Sequence, residues 1–270
     1  MDSFMLPQKW AVRRVRVVLA GAGGSGSELL DGLVRIDRAL RALDHPGLSI
    51  QVFDPDTVSV PNTIRQRWWR ADVGHNKAEL LAHRYSLFGG CDIRGHAEAL
   101  TAERLSDEIV SPGVDLLATC VDKAAVRGRI GGFFAELPLA EAPMQTFWLD
   151  LGNGANDGQV VLGHLSGWRG DAQRLPNVLD LYPELSTDAA ALDADDTPSC
   201  SAAEALAAQD LFIGRLLAGH AADLLWQFLR RGKITSQGCF VTPGQVLPLK
   251  IHPDTRASFG LMPQTARKAA

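Results

Sequence analysis

With 270 residues, 46% of them hydrophobic and 21% charged, the chain can bury a sizeable core and is too apolar for wholesale disorder. A formal net charge of -4 and a pI near 6.0 give no general field for nucleic acid, and no direct nucleic-acid contact is expected. No uncharged stretch approaches the ~20 residues of a membrane span, and the first residues carry no long apolar core of a signal peptide, so a soluble cytoplasmic protein is expected.

Val15–Ala20 reads as a buried strand, short, β-branched and ended by glycine. The run Gly21-Ala22-Gly23-Gly24-Ser25-Gly26 follows, then a helix from Ser25 to about Leu43 with Leu29, Leu30, Leu33, Ile36 and Leu40 on helical spacing. His45-Pro46-Gly47 breaks it, and Leu48–Phe53 is a second strand ending at Asp54. Strand, glycine turn, helix and strand in that order make a βαβ unit. After a polar loop, Asn76 and Glu79 give a start signal for a helix to about Phe88. Asp92–Ala97, Val114–Cys120, Met144–Asp150 and Gln159–His164 read as strands, with helices over Thr101–Ile109 and Ala124–Glu136.

From Ser166 to Ser199 periodicity fades and acidic residues and prolines accumulate, which predicts a mobile or loosely packed crossover. Ser201 and Glu204 then form a capping-box pattern before a long helix to about Arg231, which Gly214 and Gly219 could bend or divide. Gly238–Val241 and Val246–Ile251 read as a closing hairpin, with a frayed tail after Pro253. The predicted fold is α/β, a Rossmann-like doubly wound sheet, mainly parallel with antiparallel strands in the second half. Residues 1–164 form the nucleotide-binding part, 165–199 the acidic mobile crossover, and 200–270 a helix and hairpin completing the same domain.

Glycines 21, 23, 24 and 26, set between a strand and a helix, match a phosphate-binding fingerprint. Asp54 is placed to accept hydrogen bonds from a ribose. The fingerprint alone does not separate NAD(H) from ATP; the segment after Asp54 does better. Asn62, Arg65, Gln66 and Lys77, two amides and two cations folding back over the glycine turn, suit a triphosphate. Taken singly, each reads first as a solvated loop residue; taken together they do not. The cysteines Cys91, Cys120, Cys200 and Cys239 form no CxxC pair, so structural zinc is not expected, and their wide spacing fits a reduced compartment. The histidines show no metal-ligand spacing.

The blocks Gly21-x-Gly23-Gly24-x-Gly26, Asp54-Pro-Asp56-Thr57-Val58, Asn62-x-x-Arg65-Gln66, Gly74-x-x-Lys77-Ala78 and Cys120-Val121-Asp122-x-x-x-x-Arg127 stand in order. Together they resemble the ThiF/MoeB/HesA superfamily, the fold of ubiquitin-activating enzymes, over roughly residues 13–164. WLDLGNGANDGQVVLG and PSCSAAEALAAQDLFI resemble, more narrowly, the ThiF-like member of the PRTRC cassette, carried on plasmids. The resemblance implies ATP-dependent adenylation of the C-terminal carboxylate of a small ubiquitin-like, β-grasp protein, and a homodimer. It implies Mg²⁺ on Asp122, Arg65 and Lys77 on the β- and γ-phosphates, Asn62 and Gln66 orienting them, Asp54 on the ribose, and Asp56 as a further ligand.

Asp122 is also placed to cap the helix beginning at Ala124. Cys200 has two open readings: a thiol activated at a helix N-terminus for acyl transfer, or an ordinary small residue there. Cys120 reads as core. The family's CxxC pairs and its N-terminal Arg-Tyr-x-Arg-Gln segment are absent, leaving Arg13, Arg14 and Arg16 as loose candidates for the donated arginine. Trp68 and Trp69 fit core, a partner patch or a lid over the nucleotide. Two other function classes stand beside adenylation: a nucleotide-binding interaction module without catalysis, and an NAD-dependent oxidoreductase.

Overall fold

A computed structural model describes residues 2–111, 113–138, 140–168, 174–193 and 210–261. In chain order these form β1 (Phe4–Met5), α1 (Gln8–Val12), β2 (Val15–Ala20), α2 (Gly24–Arg41), β3 (Leu48–Phe53), α3 (Asn62–Arg65), α4 (Lys77–Gly89), β4 (Asp92–His96) and α5 (Ala102–Val110). There follow β5 (Leu116–Thr119), α6 (Ala124–Glu136), β6 (Phe147–Asn153), β7 (Gly158–His164) and the one-turn helices α7 (Val178–Leu181), α8 (Glu184–Thr187) and α9 (Ala189–Leu192). The chain closes through α10 (Ile213–Arg231), β8 (Lys233–Ile234), β9 (Ser236–Thr242), β10 (Gln245–Lys250) and a short helix, Pro253–Ser258.

The main sheet has eight strands in the order β10-β9-β7-β6-β5-β2-β3-β4. β4, β3, β2, β5 and β6 run parallel, and β7, β9 and β10 are antiparallel. The architecture is thus the mainly parallel α/β sheet read from the sequence, with its antiparallel members late. Strands covered on both faces become continuous apolar runs. Val17, Leu19, Ile50 and Val52 pack on one side with α2, α4 and α10, while Val18, Ala20, Phe53 and Leu117 pack on the other with α5 and α6.

α10 lies closely on α2. A methyl carbon at Gly32 would come 2.7 Å from the Ala222 Cβ, and one at Gly214 would come 3.0 Å from the Ser25 Oγ. Gly214 therefore seats α10 against the start of α2, and neither it nor Gly219 divides the helix. The Ser201–Glu204 capping box lies outside the described residues.

Three stretches differ from the sequence reading. Before Val15, where sequence pattern marks no element, Trp10 is 1% exposed and meets Phe147 and Phe228 at 5.2 and 6.0 Å, while β1 pairs with β8. Within the stretch expected to be loose, residues 174–193 bury Val178, Leu181 and Leu185 beside α6, and Leu175 in the core on the other side of the sheet. Gly128 of α6 makes the room, because a side chain there would strike the Leu185 carbonyl. Past Pro253 the chain forms its short helix and sets Phe259 against Tyr182 and Phe240.

Candidate active site

Strand register builds the site. Ala20 stands level with Phe53 on one side and Thr119 on the other, so Gly21, Asp54 and Cys120 leave the sheet together. The chain runs outward from β2 to β4 and returns to β5 on the opposite flank of β2. That reversal is a topological switch point, where a crevice opens at the carboxyl ends of the strands.

The four glycines do two jobs. Gly21 has φ +92°, and a Cβ on it would lie 2.6 Å from the Cys120 carbonyl oxygen. A Cβ on Gly26 would strike the Gly21 carbonyl. These two let the turn nest against β5. Gly23 and Gly24 are open, with Gln66 their nearest neighbour at 3.8 and 4.0 Å from such a carbon. α2 begins there with no side-chain cap and no acidic residue in its first turn, so its positive end is not neutralised locally.

Asp54 is 5% exposed, and its carboxylate accepts from the backbone N–H of Ala22 (2.6 Å) and of Asp56 (2.9 Å). Burial pushes its carboxyl above the usual value, against the pull of those two N–H groups and Lys77. Asp54 thus tethers the glycine turn as well as ending β3.

The loop after Asp54 folds back on itself. Val58 and Gly74 exchange backbone bonds with the opposite limb, and the Lys77 N–H donates to the Asp56 carbonyl at 3.0 Å. Asn76 caps α4 by accepting from the Glu79 N–H and donates to the carbonyls of Asp54 and Asp56. Lys77 is consequently only 6% exposed, with its Nζ 2.9 Å from an Asp56 carboxylate that is itself open to solvent. Gln66 reaches the glycine turn and accepts from the Trp68 indole at 2.9 Å. Asn62 closes its own turn by accepting from the Ser59 N–H. Arg65 ends α3, and its side chain lies outside the described part of the structure. Trp68 is core, whereas Trp69 is 71% exposed. Arg67, not singled out in the sequence, pairs with Glu28 and Asp31 on α2.

The β5–α6 corner completes the crevice. Asp122 does not cap α6. Asp193 does so across the fold, accepting from the N–H groups of Ala124 (2.7 Å) and Ala125 (2.9 Å). The Asp122 carboxylate has no hydrogen-bond or ion-pair partner among the described residues, and Arg127 approaches its backbone carbonyl at 3.5 Å. Cys120 packs against the core, where burial pushes its thiol far up, out of nucleophilic range. Cys200 lies outside the described residues. Arg13 and Arg14 stand at the opposite end of β2, bound to Asp115 and Asp92, which removes them from their own chain's crevice. Arg16 lines a cavity with Lys9 and Arg13 at that same far end.

No group of three or more His, Cys, Asp or Glu stands together among the described residues. No helix there is long and apolar enough to cross a membrane.

A family model described as the ThiF family matches residues 3–246. The catalytic subunit of the NEDD8-activating enzyme E1 of Caenorhabditis elegans is 28% identical over 187 residues, which span 64% of this chain and 38% of that protein. The chain therefore covers well under half of this curated relative's length. E. coli MccB, solved with AMPCPP and MccA, superposes with a TM-score of 0.57 at 14% identity over 88% of this chain and 64% of its own. MccB is also solved with ATP. The E. coli tRNA N6-threonylcarbamoyladenosine dehydratase TcdA gives a TM-score of 0.51 at 16% identity over 80% of this chain and 86% of its own, and it is also solved with AMP. At such identities the likeness is one of fold.

Proposed function

The chain belongs to the ThiF family, and from that premise we propose that it adenylates the C-terminal carboxylate of a small ubiquitin-like, β-grasp protein. A carboxylate oxygen attacks the α-phosphorus of ATP. The bond from that phosphorus to the bridging oxygen breaks, and pyrophosphate leaves with the electron pair. Both reactants are anionic, so positioning and charge neutralisation supply most of the catalysis.

One observation carries the reading. The open glycines, Asp54 and Asp122 leave three adjacent strands at the switch point, and a folded-back loop brings Lys77 near Asp54 at 6% exposure. Burying a lysine is costly unless a counter-charge meets it, and Asp56 is that partner. In this reading Gly23, Gly24 and the start of α2 receive phosphate oxygens, Gln66 lines the same turn, Arg65 would bind phosphate as the family resemblance implies, and Lys77 exchanges Asp56 for phosphate. Asp54 holds the ribose. MccB and TcdA, of the same fold, are solved with adenine nucleotides, which favours ATP over NAD.

Asp122 fits a Mg²⁺ ion, since it offers a carboxylate that is unpartnered among the described residues and Mg²⁺ in nucleotide sites takes one or two carboxylates plus substrate phosphates. Bound there, the ion would supply charge neutralisation on the phosphates. Acyl transfer to Cys200, a cytoplasmic homodimer and membership of the PRTRC branch belong to the same proposal, the last on the strings at residues 148–163 and 198–213.

Pyrophosphate exchange into ATP tests it. Exchange should appear only with a β-grasp partner encoded nearby, and Lys77→Ala and Asp122→Ala should each lower it at least a hundredfold while the proteins stay folded. Wild-type exchange in either variant removes that residue from the site. ATP binding without exchange for any carboxylate substrate would leave a nucleotide-binding module instead.

A further inference from the structure

We propose that Asp150 and Arg127 are positioning residues for Asp122, a buried carboxylate–guanidinium pair that holds the β5–α6 corner in register with the nucleotide crevice. The inference rests on the MgATP reading above.

Asp150 is 0% exposed, so it cannot itself touch substrate. Its Oδ1 accepts from the Thr119 hydroxyl at 2.6 Å, and that hydroxyl accepts in turn from the Trp148 indole at 2.7 Å. The indole only donates, so the Thr119 hydrogen is committed to Asp150 and the carboxylate is locked in orientation. Its Oδ2 faces the Arg127 Nη1 at 3.5 Å, while the Arg127 Nη2 stands 3.5 Å from the Asp122 carbonyl oxygen. Both separations exceed the ~2.8 Å of a charge-assisted bond, so the guanidinium straddles the two oxygens rather than closing on either.

The space for it is built in. A Cβ at Gly152 would lie 2.7 Å from the Arg127 Nη1, so glycine on β6 is what admits the guanidinium. Arg127 is 7% exposed, and its Nε is buried with no hydrogen-bond partner among the described residues. A buried ion pair with an unmet donor is a poor source of stability. Placed on the carbonyl of a ligand-bearing residue, it gives orientation instead. Asp193 grips the same corner from outside through the Ala124 and Ala125 N–H groups. With Asp122 O, Ala124 N and Ala125 N all held, the carboxylate of Asp122 is left without a partner among the described residues.

The test is ATP binding by calorimetry as a function of Mg²⁺, read beside pyrophosphate exchange. For Asp150→Asn the expected result is ATP affinity in EDTA within twofold of wild type, half-saturating Mg²⁺ raised tenfold or more, and kcat lowered with little change in KM for ATP. Arg127→Lys, which keeps a cation against Asp150, should recover most of the Mg²⁺ response. A double-mutant cycle separates position from mere packing: once Asp122→Asn is present, adding Asp150→Asn should weaken Mg²⁺ response no further. If Asp150→Asn does not fold, Thr119→Val, which removes only the donor to Asp150, is read in the same titration and should raise half-saturating Mg²⁺ at least threefold. A folded variant that titrates with Mg²⁺ as wild type does, or additive losses in the cycle, overturns the positioning role alone. A wild-type protein that takes up no ATP with or without Mg²⁺ overturns the nucleotide reading itself.

Discussion

A methyl group added at Gly21 would meet the Cys120 carbonyl oxygen at 2.6 Å, on a backbone at φ +92°. One added at Gly24 meets nothing nearer than the Gln66 Cγ at 4.0 Å, at a helical position where alanine is the better residue. Gly21→Ala should therefore cost more than about 2 kcal/mol in urea unfolding. Gly24→Ala should leave stability unchanged or slightly raised, yet weaken ATP binding at least tenfold by calorimetry, because in the proposed function the methyl would stand where phosphate approaches the backbone. Equal effects of the two on binding would mean the open face is not the phosphate face. Asp54 titrates for a different reason. Burial raises its carboxyl above 3.8, so the native state holds that proton more tightly than the unfolded chain. Its contribution to stability is full below pH 3.8 and is lost as pH rises through the native value. Subtracting the Asp54→Asn curve cancels the other raised carboxyls, Asp150 and Asp180. The stability of wild type relative to the variant should then fall with rising pH, and parallel curves in denaturant melts would show that Asp54 is not desolvated.

At the scale of elements, what could be read from the sequence was what is local. Asn76 caps α4 through a residue three positions on, and Asn76-x-x-Glu79 announced it. β3 and α6 fall where apolar period and glycine or polar boundaries placed them, Leu48–Phe53 and Ala124–Glu136. The cap of α6 was not legible, because its donor and acceptor are 69 residues apart and Asp122 sat in the obvious place. Residues 174–193 misled for a related reason: short helices have no period to see, and their burial depends on Gly128 in a distant segment. Asp193→Ala should cost about 1 kcal/mol, the usual loss of an N-cap, and Asp193→Asn distinctly less, because an amide oxygen still accepts from one N–H. The same change at Asp188, whose side chain meets only Thr187 among the described residues, should cost almost nothing. If Asp193→Ala unfolds at the wild-type urea midpoint, the crossover is not fastened to α6 through this carboxylate.

Across the whole molecule, strand order decides which residues meet, and strand order is where a sequence without its fold is least informative. The glycine turn, Asp54 and the β5–α6 corner were each visible as motifs, and their resemblance to a family supplied the grouping that periodicity could not. Asp150 carried no such signal, since it lies inside an apolar run, WLDL, and acquires its role only when β6 pairs with β5. The N-terminal segment poses the same problem at the far end of the sheet. Trp10 fills a space between Phe147 of β6 and Phe228 of α10, and Phe4 packs on the same two rings at 5.8 and 6.2 Å. β1 is held only by the two-residue β8, so this segment is fastened by aromatic burial more than by sheet hydrogen bonds. Removing a fully buried large aromatic typically costs about 3–5 kcal/mol. Trp10→Ala should lose that much in urea unfolding, although Trp10 stands at the end of the sheet opposite the proposed nucleotide crevice. Under conditions where the variant is still folded, its ATP affinity should remain within twofold of wild type. A large loss of affinity in the folded variant would show that the two ends of the sheet are coupled through β6, the strand that carries both Phe147 and Asp150.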